Sequence, residues 1–121
     1  MSARIIESYL HQRRVGVLVE ISAESDFATF TDEFKTFARN VAMQIAAMSP
    51  TSISELLQQA SVIDPEVSVA RSLELLASKL QEHIHIVRYV RWDTNSPLGV
   101  ATEPPRSPAP ALQAGRSVDA A

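Results

Sequence analysis

The sequence predicts an α+β domain in which a three-stranded antiparallel sheet packs against helices on one face. Two β-branched segments near the start and one near residue 90 predict the strands. Apolar residues at helical spacing between them predict the helices. The composition changes sharply near Asp93, so we expect a domain over residues 1–93 and a disordered Pro/Ala-rich tail over residues 94–121.

Size and composition exclude several classes of function. The chain has 121 residues, which is enough for one modest domain, and its net charge of −3 argues against nucleic acid as a partner. It contains no cysteine, which excludes disulfides and thiolate chemistry. The beginning of the chain lacks the apolar region of a secretory signal, and no stretch is apolar for the length of a membrane span. We therefore expect a cytoplasmic protein without a membrane partner.

The first two strands are predicted to form a hairpin. The opening segment is apolar at Ile5, Ile6, Tyr9 and Leu10, and a polar turn follows at Gln12-Arg13. Val15–Ile21 is rich in β-branched residues and short enough to be a strand, and its closeness in sequence favours antiparallel pairing. Gly16 inside this strand indicates a bulge or a close backbone approach.

A long helix is predicted from about Thr31 to Met48. Asp32 and Glu33 fall in its first turn, where the helix dipole favours negative charge, and Pro50 follows as a stop. We assign one apolar stripe to the core on its spacing of three and four residues: Phe30, Phe34, Phe37, Val41, Ile45 and Met48.

Two further helices are predicted before the last strand. Ser52 and Glu55 have the spacing of a capping box, which predicts a short helix to about Ala60. Asp64-Pro65 resembles an N-cap followed by proline at the first helical position, and predicts a helix that continues to about Glu82. Its apolar stripe consists of Val69, Leu73, Leu76 and Leu80.

The last element, Ile84–Trp92, is predicted to be a strand by its residue types. Strict alternation places two sets of side chains on opposite faces. One face is predicted to carry Ile84, Ile86, Arg88, Val90 and Trp92, and the other His85, Val87, Tyr89 and Arg91.

Four stretches of the chain resemble, in order, the elongation factor Ts family. RVGVLVEISAESDFATFTDEF (residues 14–34) is similar to the family's strand GVLVEV and loop CETDFVARTDEF. The helix FKTFARNVAMQIAAMSP, then ELLQQASVIDPEVSV, then the strand HIHIVRYVRW also match the family's pattern. The likeness covers roughly residues 9–93, and it implies the core domain of that family as a single repeat.

The resemblance implies a guanine-nucleotide exchange factor for elongation factor Tu, acting in translation elongation. Such a protein is not an enzyme in the covalent sense and needs no cofactor. The family's functional pair falls on Asp26-Phe27, where Phe27 would wedge into the GTPase and Asp26 would disturb its magnesium site. The neighbouring residues Glu24, Ser25 and Ala28 complete the predicted contact. Without the resemblance, Phe27 could also be a core residue that covers the end of the helix.

The chain also departs from the family's pattern. Ala28 and Thr29-Phe30 replace Val and Ala-Arg, and nothing in the sequence corresponds to the small helical module with which family members begin. A binding-only or structural paralogue without exchange activity, or a truncated product without an independent role, therefore stays an alternative. The single repeat implies a homodimer that forms through one face of the last strand, at Ile84, Ile86, Arg88, Val90 and Trp92.

No metal site is predicted. His83 and His85 would share a strand face, but the sequence suggests no third ligand. The acidic residues around Asp26 are interpreted as charges of a loop and a helix start, since a carboxylate pair for acid–base catalysis would require a buried member.

Overall fold

The computed structural model describes residues 3–96, and residues 97–121 of the tail that was predicted over 94–121 lie outside them. Within this described range, seven elements follow one another in the order β-β-α-α-α-α-β. Their bounds are β1 Ala3–His11, β2 Val15–Ala23, α1 Asp26–Thr29, α2 Asp32–Met48, α3 Ile53–Gln58, α4 Val69–Leu80 and β3 His85–Asp93.

The three strands form one antiparallel sheet in the order β1-β2-β3, which confirms the predicted fold class. The central strand β2 directs Val17, Val19 and Ile21 into the core, where α2 crosses the sheet. The alternate residues of β2 lie on the opposite face, which none of the helices within residues 3–96 covers. The sheet therefore has one buried face and one open face.

Three residues connect β1 to β2, because His11 pairs with Val15, and the turn lies at Gln12-Arg13, as predicted. Gln12 and Arg13 both have positive φ, at 53° and 63°, and the Arg14 N–H donates to the His11 carbonyl at 2.9 Å. These angles belong to a type I′ turn, whose twist matches that of the flanking strands. Gly16 pairs regularly with its neighbours, and a Cβ there would meet only Leu10 Cδ1 at 3.8 Å. The prediction of a bulge or a close approach at Gly16 is therefore wrong.

The irregularity of the sheet lies instead between β2 and β3. Glu20 pairs with Arg88 and Ile21 with Ile86, so Val87 is an extra residue with no partner on β2. A bulge of this kind turns the residues before it onto the face opposite to the one that strict alternation gives.

The bulge divides the side chains that were predicted to share one face of β3. Ile84 and Ile86 are buried in the core beneath the helices. Arg88 and Trp92 are exposed and Val90 is half-buried, and all three lie on the open face. The predicted alternation is therefore wrong for Ile84 and Ile86, because the extra residue Val87 shifts the register by one.

Helix α2 has the predicted extent. The Thr31 hydroxyl caps its first turn by accepting from the Phe34 N–H at 3.1 Å, and the cap residue Ser49, with φ of 49°, follows its last residue. Phe34 is only 1% exposed and belongs to the core, as predicted. Phe30 was assigned to the core as well, but it is 70% exposed. It precedes the cap residue Thr31 and so lies outside α2, and the helical spacing does not apply to it.

Helix α4 begins later than predicted. Its N-cap is Ser68, whose hydroxyl accepts from the Arg71 N–H at 3.0 Å. Asp64 instead caps a turn, accepting from the Glu66 N–H at 3.3 Å through its carboxylate. The prediction of a helix start at Asp64-Pro65 is therefore wrong, and the same local chemistry serves a turn.

The C-terminal end of α4 directs the chain toward the loop after β2. Gln81 adopts the left-handed conformation, with φ of 58°, and the Glu82 N–H donates to the Ala77 carbonyl at 3.1 Å. This bond closes the helix in a Schellman motif. Glu82 and His83 thereby lie beside the beginning of that loop.

Candidate functional site

The candidate site is the segment of residues 24–31, here called the aromatic loop, which connects β2 to α2 and contains α1. Phe27 is 78% exposed, and Phe30, three residues later, is exposed to a similar degree. Between them Ala28 and Thr29 are buried and attach the segment to the core. Two large apolar rings therefore protrude from a segment whose backbone is anchored.

Hydroxyl groups fix the backbone of the aromatic loop. Ser25 Oγ accepts from the Ala28 N–H at 3.3 Å, as an N-cap does. Thr29 Oγ1 donates to the Asp26 carbonyl at 2.7 Å, and Thr31 Oγ1 donates to the Ala28 carbonyl at 2.8 Å. The sequence folds locally in this way because short hydroxyl side chains satisfy the backbone groups that a single helical turn leaves unpaired.

Two carboxylates link the beginning of the aromatic loop to the end of α4. Glu82 Oε1 accepts from the N–H groups of Glu24 and Ser25, at 3.0 and 3.1 Å, and the Ser25 hydroxyl donates to Glu82 Oε2. In return, Glu24 Oε2 accepts from the His83 N–H at 2.6 Å and lies 2.6 Å from His83 Nδ1. We call these four residues the carboxylate clasp.

The clasp also affects the ionisation of its outer carboxylate. The hydrogen bond from the His83 backbone N–H, followed by that of the His83 side chain, holds the pKa of Glu24 below its ordinary value of 4.5. Glu24 is therefore charged at neutral pH, as its role as an acceptor requires.

The structure gives different surroundings to the five residues predicted to contact a partner. Asp26 and Phe27 are exposed at the tip of the aromatic loop. Glu24 and Ser25 are engaged in the carboxylate clasp, and Ala28 is 1% exposed, with its side chain in the core. Ala28 is thus placed to support the loop rather than to touch a partner.

Sequence reasoning missed Phe30 as a surface residue. The available signal was Thr31, because a threonine followed by Asp-Glu marks a helix start and places the preceding residue outside the helix. With Phe30 included, the tip of the aromatic loop consists of a carboxylate and two rings. Such a surface is suited to insertion into an apolar pocket of another protein.

Residues 3–96 contain no group of three or more His, Cys, Asp or Glu side chains that could hold a metal ion. Within the same range, no helix combines the length and the apolar character that crossing a bilayer requires.

The open face of the sheet is a second candidate surface. Four of its large apolar side chains are exposed, namely Ile6, Leu10, Leu18 and Trp92. Glu20 is buried among them, with Arg4 Nη1 at 3.0 Å and Arg88 Nε at 2.6 Å from its carboxylate oxygens. The face therefore combines an apolar patch with an ionic group that is already paired.

Replacing Glu20 by glutamine is expected to make stability less sensitive to acid. Burial raises the pKa of Glu20, but the hydrogen bonds from Arg88 and Arg4 outweigh burial and hold the pKa below 4.5. A lowered pKa stabilises the fold above pH 4.5, and this contribution is lost as the pH falls through the pKa of the folded state. Urea unfolding at one protein concentration should show wild type more stable than Glu20→Gln at pH 7, with a difference that narrows below pH 4.5. A constant difference down to about pH 3 would contradict the assigned ion pairs.

Comparison with known proteins gives the family of the chain. A family model described as Elongation factor TS matches residues 1–79. Elongation factor Ts of Desulfosudis oleivorans is 47% identical over 79 residues, which are 64% of this chain and 40% of that protein. The protein of the same name from Carboxydothermus hydrogenoformans is 45% identical, over 62% of this chain and 35% of its own length. The chloroplastic elongation factor Ts of Rhodomonas salina is 43% identical over 64% of this chain. The chain therefore spans only about two fifths of the length of the relatives it matches.

Proposed function

The chain belongs to the elongation factor Ts family, and from this we propose that it promotes the release of GDP from elongation factor Tu. The observation that carries the proposal is the exposure of Phe27 beside Asp26 at the tip of an anchored loop. The family pattern places its functional pair at these two positions. The proposal assigns no covalent step and no cofactor to this chain, and it places the protein in the cytoplasm, where elongation occurs.

The chemistry of the pair accounts for both binding and release. An exposed phenylalanine ring gains free energy when it leaves water for an apolar pocket, and this gain is the main contribution to docking. Asp26 then brings a negative charge close to the magnesium and phosphate groups of the GTPase. A carboxylate repels the phosphates and competes for the cation, so the affinity for GDP falls.

The proposal is tested by the dependence of binding on nucleotide. Because two linked ligands weaken each other by the same factor, GDP must lower the affinity of the chain for elongation factor Tu as much as the chain lowers the affinity for GDP. Calorimetry should therefore show tighter binding to the nucleotide-free GTPase than to its GDP complex. Equal affinity for the two forms would contradict exchange.

Phe30 favours a second candidate function, which is binding without exchange. A second exposed ring beside Phe27 adds apolar area for docking but adds no charge near the nucleotide. The family pattern has arginine at this position. Equal affinity in the calorimetric experiment would support this binding-only function.

We further propose that the open face of the sheet pairs with the same face of a second copy. Three of the five residues predicted for a dimer interface lie on it, namely Arg88, Val90 and Trp92. An apolar patch of this kind, bordered by polar residues, is typical of an interaction surface.

Replacing Trp92 by glutamate is expected to raise the dissociation constant of this dimer about a hundredfold, because an unpaired charge would be buried in its interface. Sedimentation equilibrium measures the change. The control Leu75→Glu places the same charge on the exposed side of α4, outside the open face. A wild-type chain that is monomeric at high micromolar concentration would contradict the proposal, and so would a Trp92→Glu variant that dimerises normally.

A further inference from the structure

The carboxylate clasp joins two segments that lie 57 to 59 residues apart in the sequence. Its contacts run in both directions: Glu82 accepts from the loop backbone, and Glu24 of the loop accepts from the backbone of the residue after Glu82. All the acceptors are carboxylate oxygens, and hydrogen bonds to ionised acceptors are about twice as strong as neutral ones.

The position of the clasp matters because the loop tip cannot hold its own shape. Helix α1, which carries Asp26 and Phe27, has only four residues, and a single helical turn is unstable without external support. The C-terminal end of the aromatic loop is supported by Thr31 and the beginning of α2. The N-terminal end is supported by Glu82, which binds the two backbone N–H groups that precede Asp26.

We propose that Glu82 is a positioning residue for nucleotide exchange. Its carboxylate holds the beginning of the aromatic loop in the conformation that presents Asp26 and Phe27 to the GTPase. Glu82 itself lies beneath the loop and acts through the backbone of Glu24 and Ser25. This inference rests on the exchange function proposed above, and it adds a residue outside the aromatic loop to that function.

A positioning role has a specific kinetic signature. If the loop adopts the binding conformation only a fraction of the time, the apparent affinity falls by that fraction, while the complex once formed is the same. Replacing Glu82 by alanine should therefore raise the concentration for half-maximal GDP release about tenfold and leave the maximal release rate within about twofold.

The conservative variant should restore function. Glutamine keeps an oxygen that can accept from the N–H groups of Glu24 and Ser25, and its amide can donate to the Ser25 hydroxyl. For Glu82→Gln, the concentration for half-maximal GDP release is expected to be no more than about threefold that of wild type. The matched control is Glu74→Ala, which removes an exposed carboxylate of α4 whose partner is Arg71 at 3.2 Å. This control should match wild type.

The experiment is a titration of GDP release from elongation factor Tu with each variant, combined with amide hydrogen exchange. In Glu82→Ala the amides of Glu24 and Ser25 should exchange faster, while those in the middle of α2 stay protected. If Glu82→Ala does not fold, Glu82→Asp is used in its place. The aspartate side chain is shorter by one methylene and cannot reach both N–H groups. This variant should therefore also raise the concentration for half-maximal GDP release.

The outcomes separate this inference from the function on which it rests. A wild-type chain that accelerates release, together with a Glu82→Ala variant of unchanged half-maximal concentration, overturns the role of Glu82 alone. A lowered maximal rate at unchanged half-maximal concentration also overturns it. A wild-type chain that does not accelerate release overturns the proposed function, and the positioning role with it.

Discussion

Replacing Phe27 by alanine is expected to lower the acceleration of GDP release about 30-fold. A central aromatic residue of a protein interface contributes on the order of 2 kcal/mol, which corresponds to this factor. The ring is 78% exposed in the free chain, so its removal leaves the core intact and the loss falls on the complex. Stopped-flow release of a fluorescent GDP analogue measures the effect.

The control for this variant is Ile63→Ala, which removes an exposed apolar side chain from the segment between α3 and α4. The free energy of unfolding of both variants should lie within about 0.5 kcal/mol of that of wild type, as is usual for surface substitutions. Equal acceleration by wild type and Phe27→Ala would show that Phe27 is not the docking residue. A large loss of stability in Phe27→Ala would instead place the ring in the core, contrary to the structure.

Replacing Phe34 by alanine is expected to destabilise the fold by about 3–5 kcal/mol. Phe34 is 1% exposed in the first turn of α2, where the helix crosses the sheet, so its truncation leaves a cavity in the core. The free energy of unfolding of a small domain is about 5–15 kcal/mol, and this single change therefore removes a large part of it. Urea unfolding followed by circular dichroism measures the difference.

The matched control is Phe30→Ala, which makes the same substitution four residues earlier in the chain. Phe30 is exposed and precedes the helix cap Thr31, so its replacement should lower the free energy of unfolding by no more than about 0.5 kcal/mol. Comparable losses at both positions would restore the assignment of Phe30 to the core. They would contradict the start of α2 at Asp32.

The sequence predicted the sheet and the long helix because their patterns are local. The period of β2 and the stripe of α2 each follow from residues close together in the chain. The face of Ile84 and Ile86 could not be predicted, because β-branched residues occur on both sides of the bulge and the extra residue is defined only by pairing with β2. The start of α4 was misplaced because Asp64 and Ser68 are both good caps, and tertiary packing selects between them.

The candidate site was predictable to a similar extent. The resemblance indicated Asp26-Phe27, and the structure shows both exposed. It could not indicate that Ala28 points into the core, since the direction of a side chain in a short helix depends on how that helix is anchored. The carboxylate clasp could not be predicted from the sequence either, because it joins residues more than fifty positions apart.

The most direct test of the central claim is the release of a fluorescent GDP analogue from elongation factor Tu, measured with increasing concentrations of this chain. Exchange activity predicts a release rate that rises with concentration and saturates at least about tenfold above the intrinsic rate, a decrease of about 1.4 kcal/mol in the barrier. A release rate that stays at its intrinsic value at every concentration would contradict the proposed exchange function. If calorimetry then still detected binding, the two exposed rings of the aromatic loop would serve binding alone.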